Sequence, residues 1–116
     1  MPDYEVSTVV DSHAHLDLPD FKADREEVIR RARKKGVKSI LCPLDVSSSE
    51  SLSQGLKLKE ERDYIYLAIG LHPHDARKLA PQHFVQIREM AAAGQILAIG
   101  EIGLDFHYNF SPPEKQ

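Results

Sequence analysis

YIYLAIGLHPHD, Tyr64–Asp75, joins two kinds of sequence end to end. Its first part, Tyr64–Leu71, is apolar almost without interruption and rich in aromatic and branched side chains. Such a run, lacking polar alternation, suits a strand buried on both faces, as in a parallel sheet covered by helices. Its second part, HPHD, places two histidines and an aspartate where that strand would end.

The same junction recurs on either side. Apolar runs at Val6–Val10, Ser39–Leu44 and Ile96–Ile99 read as three more strands, and the first and last of them lead into DSHAHLD and EIGLD. Between the strands lie segments with helical punctuation. Asp24 followed by Glu27 predicts a capped start for a helix that runs to Gly36 and buries Val28, Ile29 and Ala32. Ser47 followed by Glu50 predicts the second start, with Leu52, Leu56 and Leu58 facing the sheet and Gly55 arguing against the helix. Pro81 predicts the first turn of a third helix, with Phe84, Ile87 and Ala91 at helical spacing and Gly94 as its stop.

The resulting order is β, α, β, α, β, α, β, the alternation of right-handed βαβ crossovers in an α/β fold. A (β/α)8 TIM barrel takes about 250 residues, so parallel β/α units in a 116-residue chain make about half of one. Residues 1–116 are therefore expected to be a fragment of a single barrel domain, with open apolar edges at its first and fourth strands. The alternative is a small open α/β sheet complete in itself.

Composition narrows the classes further. With 41% hydrophobic and 28% charged residues the chain reads as globular, and a formal charge of -3 gives no field that would gather polyanions. The single cysteine, Cys42, excludes an intrachain disulfide and reads as strand packing within SILCPL. The N-terminal segment has neither a basic start nor a long apolar core, and no apolar run reaches the length of a membrane span, so a cytoplasmic location is expected. Arg30, Arg31, Arg33, Lys34 and Lys35 read as a solvated helix end, where cations complement the helix dipole. No Walker motif or GxGxxG is present.

Polar clusters follow three of the four strands, and in parallel α/β folds the carboxyl ends of strands share one rim. His13 and His15, two residues apart, would face one point if the strand continued, roughly 6 to 7 Å from each other. Two neutral imidazoles sharing a point suit a metal ion, and Asp11 or Asp17 could fix a tautomer or support the site. Glu101, presented by ILAIG between Gly100 and Gly103, could bridge two cations from that rim. His72 could contact a substrate phosphate or leaving oxygen. His74 reads as supporting or surface, Asp105 as either a ligand-orienting or a loop-capping residue, and His83 as solvated.

Taken together, DSHAHLD, AIGLHPHDA and AIGEIGLDFH resemble the successive signatures of the TatD-type metal-dependent hydrolases. The resemblance spans essentially the whole chain and implies an amidohydrolase-type (β/α)8 barrel with metal-dependent DNase activity of the exonuclease type. It implies that His13 and His15 ligate one divalent ion, that Glu101 bridges it to a second, and that His72 contacts substrate or leaving group. Two ions, Mg, Mn or Zn, and a DNA substrate are the expected cofactors and partner. The family completes its site with two histidines and an aspartate from later strands, and those motifs are not in this sequence, so His107 is not assigned to any of those positions. Two other readings stay open: hydrolysis of an amide, ester or lactone on the same scaffold, and an inactive truncated module that binds a metal or a partner.

Overall fold

The computed structural model describes residues 8–116. Four parallel strands, β1 (Val9–Asp11), β2 (Val37–Asp45), β3 (Ile65–Gly70) and β4 (Ala98–Ile99), lie side by side in chain order. Helices α1 (Arg25–Lys34), α2 (Ser49–Glu61) and α3 (Pro81–Ala92) make the crossovers. This is the arrangement expected of half a (β/α)8 barrel. Short 3-10 turns at Pro19–Phe21, Pro73–Lys78 and Pro113–Lys115 shape the loops.

Burial follows strand position. β2 and β3 pair in register from Ile40 with Ile65 to Asp45 with Gly70. They supply half of the core cluster: Ile40, Cys42, Leu44, Ile65, Leu67 and Ile69, all at most 3% exposed. Ile29 of α1, Leu52 and Leu58 of α2 and Met90 of α3 cover them. At about 1.5–3 kcal/mol for each large apolar side chain removed from water, this central pair carries the cohesion of the fold. β1 and β4 are short and exposed, with Val10 at 60% and Ile99 at 52%, so among the described residues the outer strands present the apolar edges expected.

Several predicted boundaries move. β1 begins at Val9, and Val6 of the predicted strand lies outside the described residues. Ser48, not Ser47, caps α2, its Oγ accepting the Ser51 N–H, because Ser47 is held instead by the Asp45 carboxylate. Glu27 does not close a capping box on Asp24; its carboxylate pairs with Arg30 and Arg31 one turn on. In α3 the predicted stripe is only partly buried: Ile87 is half-buried and Met90 buried, while Phe84 and Ala91 stay exposed. The covering layer over that end of the sheet is therefore thin.

Gly55, which counted against α2, is the reason the helix can sit where it does. A methyl group there would fall 2.4 Å from a Leu44 methyl carbon. The missing side chain lets α2 approach β2 directly, and the packing outweighs a helix-propensity cost of about 1 kcal/mol. Gly36 (φ 95°) and Gly94 (φ 69°) end α1 and α3 in the left-handed conformation that glycine adopts freely.

Candidate active site

Parallel strands bring the polar clusters to one rim. The segments after β1, β3 and β4 deliver His13 and His15, His72, and Glu101 to a single cleft of about 430 Å³, floored by Pro43, Leu44 and Asp45 at the end of β2. His13 Nε2 and His15 Nε2 are 3.0 Å apart, with rings at 82° to each other. Glu101 Oε2 lies 3.1 Å from the first and 3.3 Å from the second, and Oε1 lies 3.3 Å from His72 Nε2. Residues remote in sequence thus meet within hydrogen-bonding distance.

β1 has ended by His13, yet the alternation that aimed the histidines persists. The Ala14 N–H still reaches the Leu41 carbonyl at 3.1 Å, which keeps the chain alongside β2 and leaves His13 and His15 on one side of it. The support for their rings differs from expectation. Asp11 accepts the His13 backbone N–H, and Asp17 is buried, accepting from Ser51 Oγ at 2.6 Å and from Cys42 Sγ at 3.4 Å. Neither aspartate orients an imidazole. His15 Nδ1 instead faces the Pro43 carbonyl at 3.2 Å, a backbone acceptor with no signature in sequence.

These contacts assign tautomers. A carbonyl can only accept, so His15 carries its proton on Nδ1 and turns the Nε2 lone pair toward Glu101. His72 is the reverse: its Nδ1 accepts the His74 N–H at 3.0 Å, which leaves Nε2 as the donor toward Glu101 Oε1. The rim therefore holds a lone pair at His15 and an N–H at His72, on opposite oxygens of one carboxylate.

Among the described residues, His13, His15 and Glu101 form the one group whose ligating atoms all lie within 4.8 Å of one another. The donor set passes a chemical test for a divalent ion. His13 Nε2, His15 Nε2 and Glu101 Oε2 converge within 3.0–3.3 Å of one another, so one ion among them would meet three donor atoms at once. Two imidazole nitrogens and one carboxylate oxygen are ordinary ligands for Mn or Zn.

Of the readings the sequence left open, His74 takes the supporting one and Asp105 the loop-capping one. His74 Nε2 bonds Asp105 Oδ2, and the other Asp105 oxygen accepts the N–H groups of His107 and Tyr108, so the aspartate both caps its loop and ties it to the turn after β3. His74, and next the His107 N–H, hold the Asp105 carboxyl below its ordinary value. Ser111, 1% exposed, donates to the His74 carbonyl and accepts the Arg77 N–H, while the Gln116 side chain bonds the backbone of Asp105 and Ser111. The loop carrying Glu101 is thereby fastened to the turn carrying His72. His83, expected to be solvated, is buried, because its Nδ1 accepts the Ala80 N–H and closes the first turn of α3.

Away from the rim, the three arginines of the basic cluster, Arg30, Arg31 and Arg33, are occupied locally. Arg30 and Arg31 pair with Glu27, and Arg33 bonds the Val37 and Lys38 carbonyls while lying 3.9 Å over the Tyr64 ring. The cluster reads as a solvated helix face, as expected. No helix among the described residues is long and apolar enough to cross a membrane.

The family model for TatD related DNase matches residues 10–116. This chain belongs to that family. It is 38% identical over 106 residues to a Bacillus subtilis protein named as an uncharacterized metal-dependent hydrolase, covering 91% of this chain and 41% of the relative. A Pectobacterium carotovorum relative named as a 3'-5' ssDNA/RNA exonuclease is 41% identical over 106 residues, covering 91% of this chain and 40% of its own length. The crystal structure of the TatD homologue YJJV from Escherichia coli superposes with a TM-score of 0.79 at 30% identity, over 95% of this chain and 42% of that one. The chain thus spans about two fifths of the length of these relatives, and the half-barrel has its counterpart within a TatD fold.

Proposed function

We propose that this chain supplies the N-terminal part of the active site of a metal-dependent phosphodiesterase that hydrolyses single-stranded nucleic acid from an end, with DNA as the principal substrate. Residues 1–116 are then the first portion of one (β/α)8 domain. The observation that carries this reading is the convergence of His13, His15 and Glu101 beside His72 in a family whose relatives include named exonucleases.

In this reading His13, His15 and Glu101 would hold divalent metal, Mg, Mn or Zn, and Glu101 would be the carboxylate that serves both ions of a two-ion site. The bound ions would supply Lewis-acid polarisation of the phosphoryl group and acidification of water. The chain's own residues set the geometry. The Pro43 carbonyl keeps a proton on His15 Nδ1, so Nε2 is the nitrogen turned to the cleft to ligate. The His74 N–H keeps the His72 proton on Nε2, where it can donate to a phosphate oxygen or to the departing sugar oxygen. The same nitrogen faces Glu101 Oε1 at 3.3 Å. No side chain has to act as nucleophile.

The test is Glu101→Gln, alongside Glu101→Ala. Both variants should melt like the parent yet lose Mn-binding affinity and Mn-dependent cleavage of a single-stranded oligonucleotide by about 100-fold or more. Cleavage at the parental rate would remove Glu101 from the site. Parallel assays on simple amides, esters and lactones distinguish the bond cleaved, and turnover of those alone would replace the nuclease reading.

A further inference from the structure

Beyond the metal-ligand cluster, the rim carries a second feature that the hydrolytic chemistry does not use. After Glu101 the chain runs through FHYNF, Phe106–Phe110, and two of its rings stack: Tyr108 and Phe110 have centroids 5.4 Å apart and planes at 17°. They stand 51% and 53% exposed. Neither lines the apolar groove between Leu79, Phe84, Ile102 and Leu104 on the flank of the sheet, so they are not part of that unpartnered packing surface.

Their position is built rather than incidental. The His74 ring packs edge-on against both, at 5.6 Å from Tyr108 and 4.9 Å from Phe110. That ring is itself fixed by Asp105 and lies 4.2 Å from the His72 ring. Asp105 also receives the Tyr108 N–H, and buried Ser111 anchors the chain just beyond Phe110. A continuous line of rings therefore runs from His72, beside Glu101, through His74 to two stacked rings that are about half exposed.

We propose that Tyr108 and Phe110 form a stacking platform for a base of the single-stranded substrate, next to the nucleotide whose phosphate His72 contacts. The proposal rests on the nucleic-acid reading above and specifies how that substrate is held. Aromatic faces bind single strands without choosing sequence, because every base offers a π-face. Holding by stacking needs no basic surface, and these 116 residues carry a formal charge of -3, with Arg30 and Arg31 paired to Glu27. A duplex hides its base faces, so the platform selects unpaired ends.

Equilibrium binding in EDTA tests this without hydrolysis. The probes are a fluorescein-labelled single-stranded oligonucleotide and the same strand with abasic sites in its terminal nucleotides, each titrated against the purified protein, Tyr108→Ala/Phe110→Ala and Tyr108→Phe, with melting curves to verify folding. The parent should bind the base-bearing strand about 10-fold more tightly than the abasic one. The double alanine variant should bind both strands equally weakly, and Tyr108→Phe should keep the preference. An unchanged preference in the double variant, no preference in the parent, or an equal loss for both strands overturns the platform. Cleavage is scored separately with Mn. A parent that shows the preference but cuts no strand leaves the platform standing and removes the nuclease reading.

Discussion

Gly70 and Glu101 touch backbone to backbone. A methyl group on Gly70 would lie 2.8 Å from the Glu101 carbonyl oxygen and 2.8 Å from the Gly100 carbonyl carbon. The end of β3 thus needs a residue without a side chain for the β4 rim to come close enough to present Glu101 to His13, His15 and His72. Neither residue's neighbours in sequence reveal this dependence.

Gly70→Ala is accordingly expected to act at a distance through Glu101. Backbone cannot swing aside as a flexible side-chain end can, so the variant should lose about 1–3 kcal/mol of stability from overpacking. It should also lose about 10-fold or more in Mn affinity through displacement of the carboxylate. Calorimetric titration of Mn together with a melting curve checks both. Parental Mn affinity in a destabilised variant would separate Gly70 from the site.

Gly55→Ala pits helix propensity against packing. Alanine in place of glycine gains up to about 1 kcal/mol in a helix interior, but here the new methyl meets buried Leu44 at 2.4–2.5 Å. We expect net destabilisation by about 1–2 kcal/mol, the overpacking cost winning. Leu44→Val in the same chain should return part of the loss, and denaturant melts of the single and double variants measure that coupling.

Cys42 should behave as an inert thiol in the folded protein. It is fully buried, and burial first, with the Asp17 charge second, pushes its pKa up to about 12. A disulfide reagent at pH 8 should label it only after unfolding. The linkage has a definite sign. The folded state keeps a proton that the unfolded chain releases near pH 9, so the contribution is fully present below that value and is lost as pH rises toward 12. Cys42→Ala should flatten this alkaline loss, to be read from stability measured between pH 8 and 11.

Asp105 predicts the opposite limb. Its folded-state pKa is lowered, chiefly by the bond to His74, so its stabilising contribution is present above the unfolded value of 3.8 and fades as pH falls through the folded value. Asp105→Asn removes the charge and should make acid unfolding less steep in that range. Because the same side chain caps the loop through the His107 and Tyr108 N–H groups, hydrogen exchange of those two amides should accelerate in Asp105→Ala.

Legibility divided according to the range of the interaction. The four strands, the three crossover helices and the rim residues His13, His15, His72 and Glu101 could all be read from local pattern. Continuous apolar runs specify doubly covered strands, and a parallel sheet sends every strand's carboxyl end the same way. Resemblance to the TatD family then supplied roles that spacing alone could not. Boundaries were less secure: Ser47 and Ser48 are equivalent in sequence, and only the pull of Asp45 on Ser47 selects the cap.

What local pattern missed was long-range. The exposed Phe84 and buried His83 reversed expectation, because a polar ring that satisfies the Ala80 N–H can turn inward while a larger apolar neighbour is left over a thin part of the sheet. The Pro43 carbonyl behind His15, the Asp17 to Ser51 and Cys42 contacts, and the His74 to Asp105 clamp join segments 25 to 34 residues apart. Sequence by itself determined that this is a parallel β/α chain with its chemistry at the strand ends, because apolar periodicity and parallel direction are properties of single segments. Only the tertiary structure decided which nitrogen of each histidine faces the cleft and how close Glu101 can come, because those depend on carbonyls and bare glycine backbone supplied by neighbouring strands.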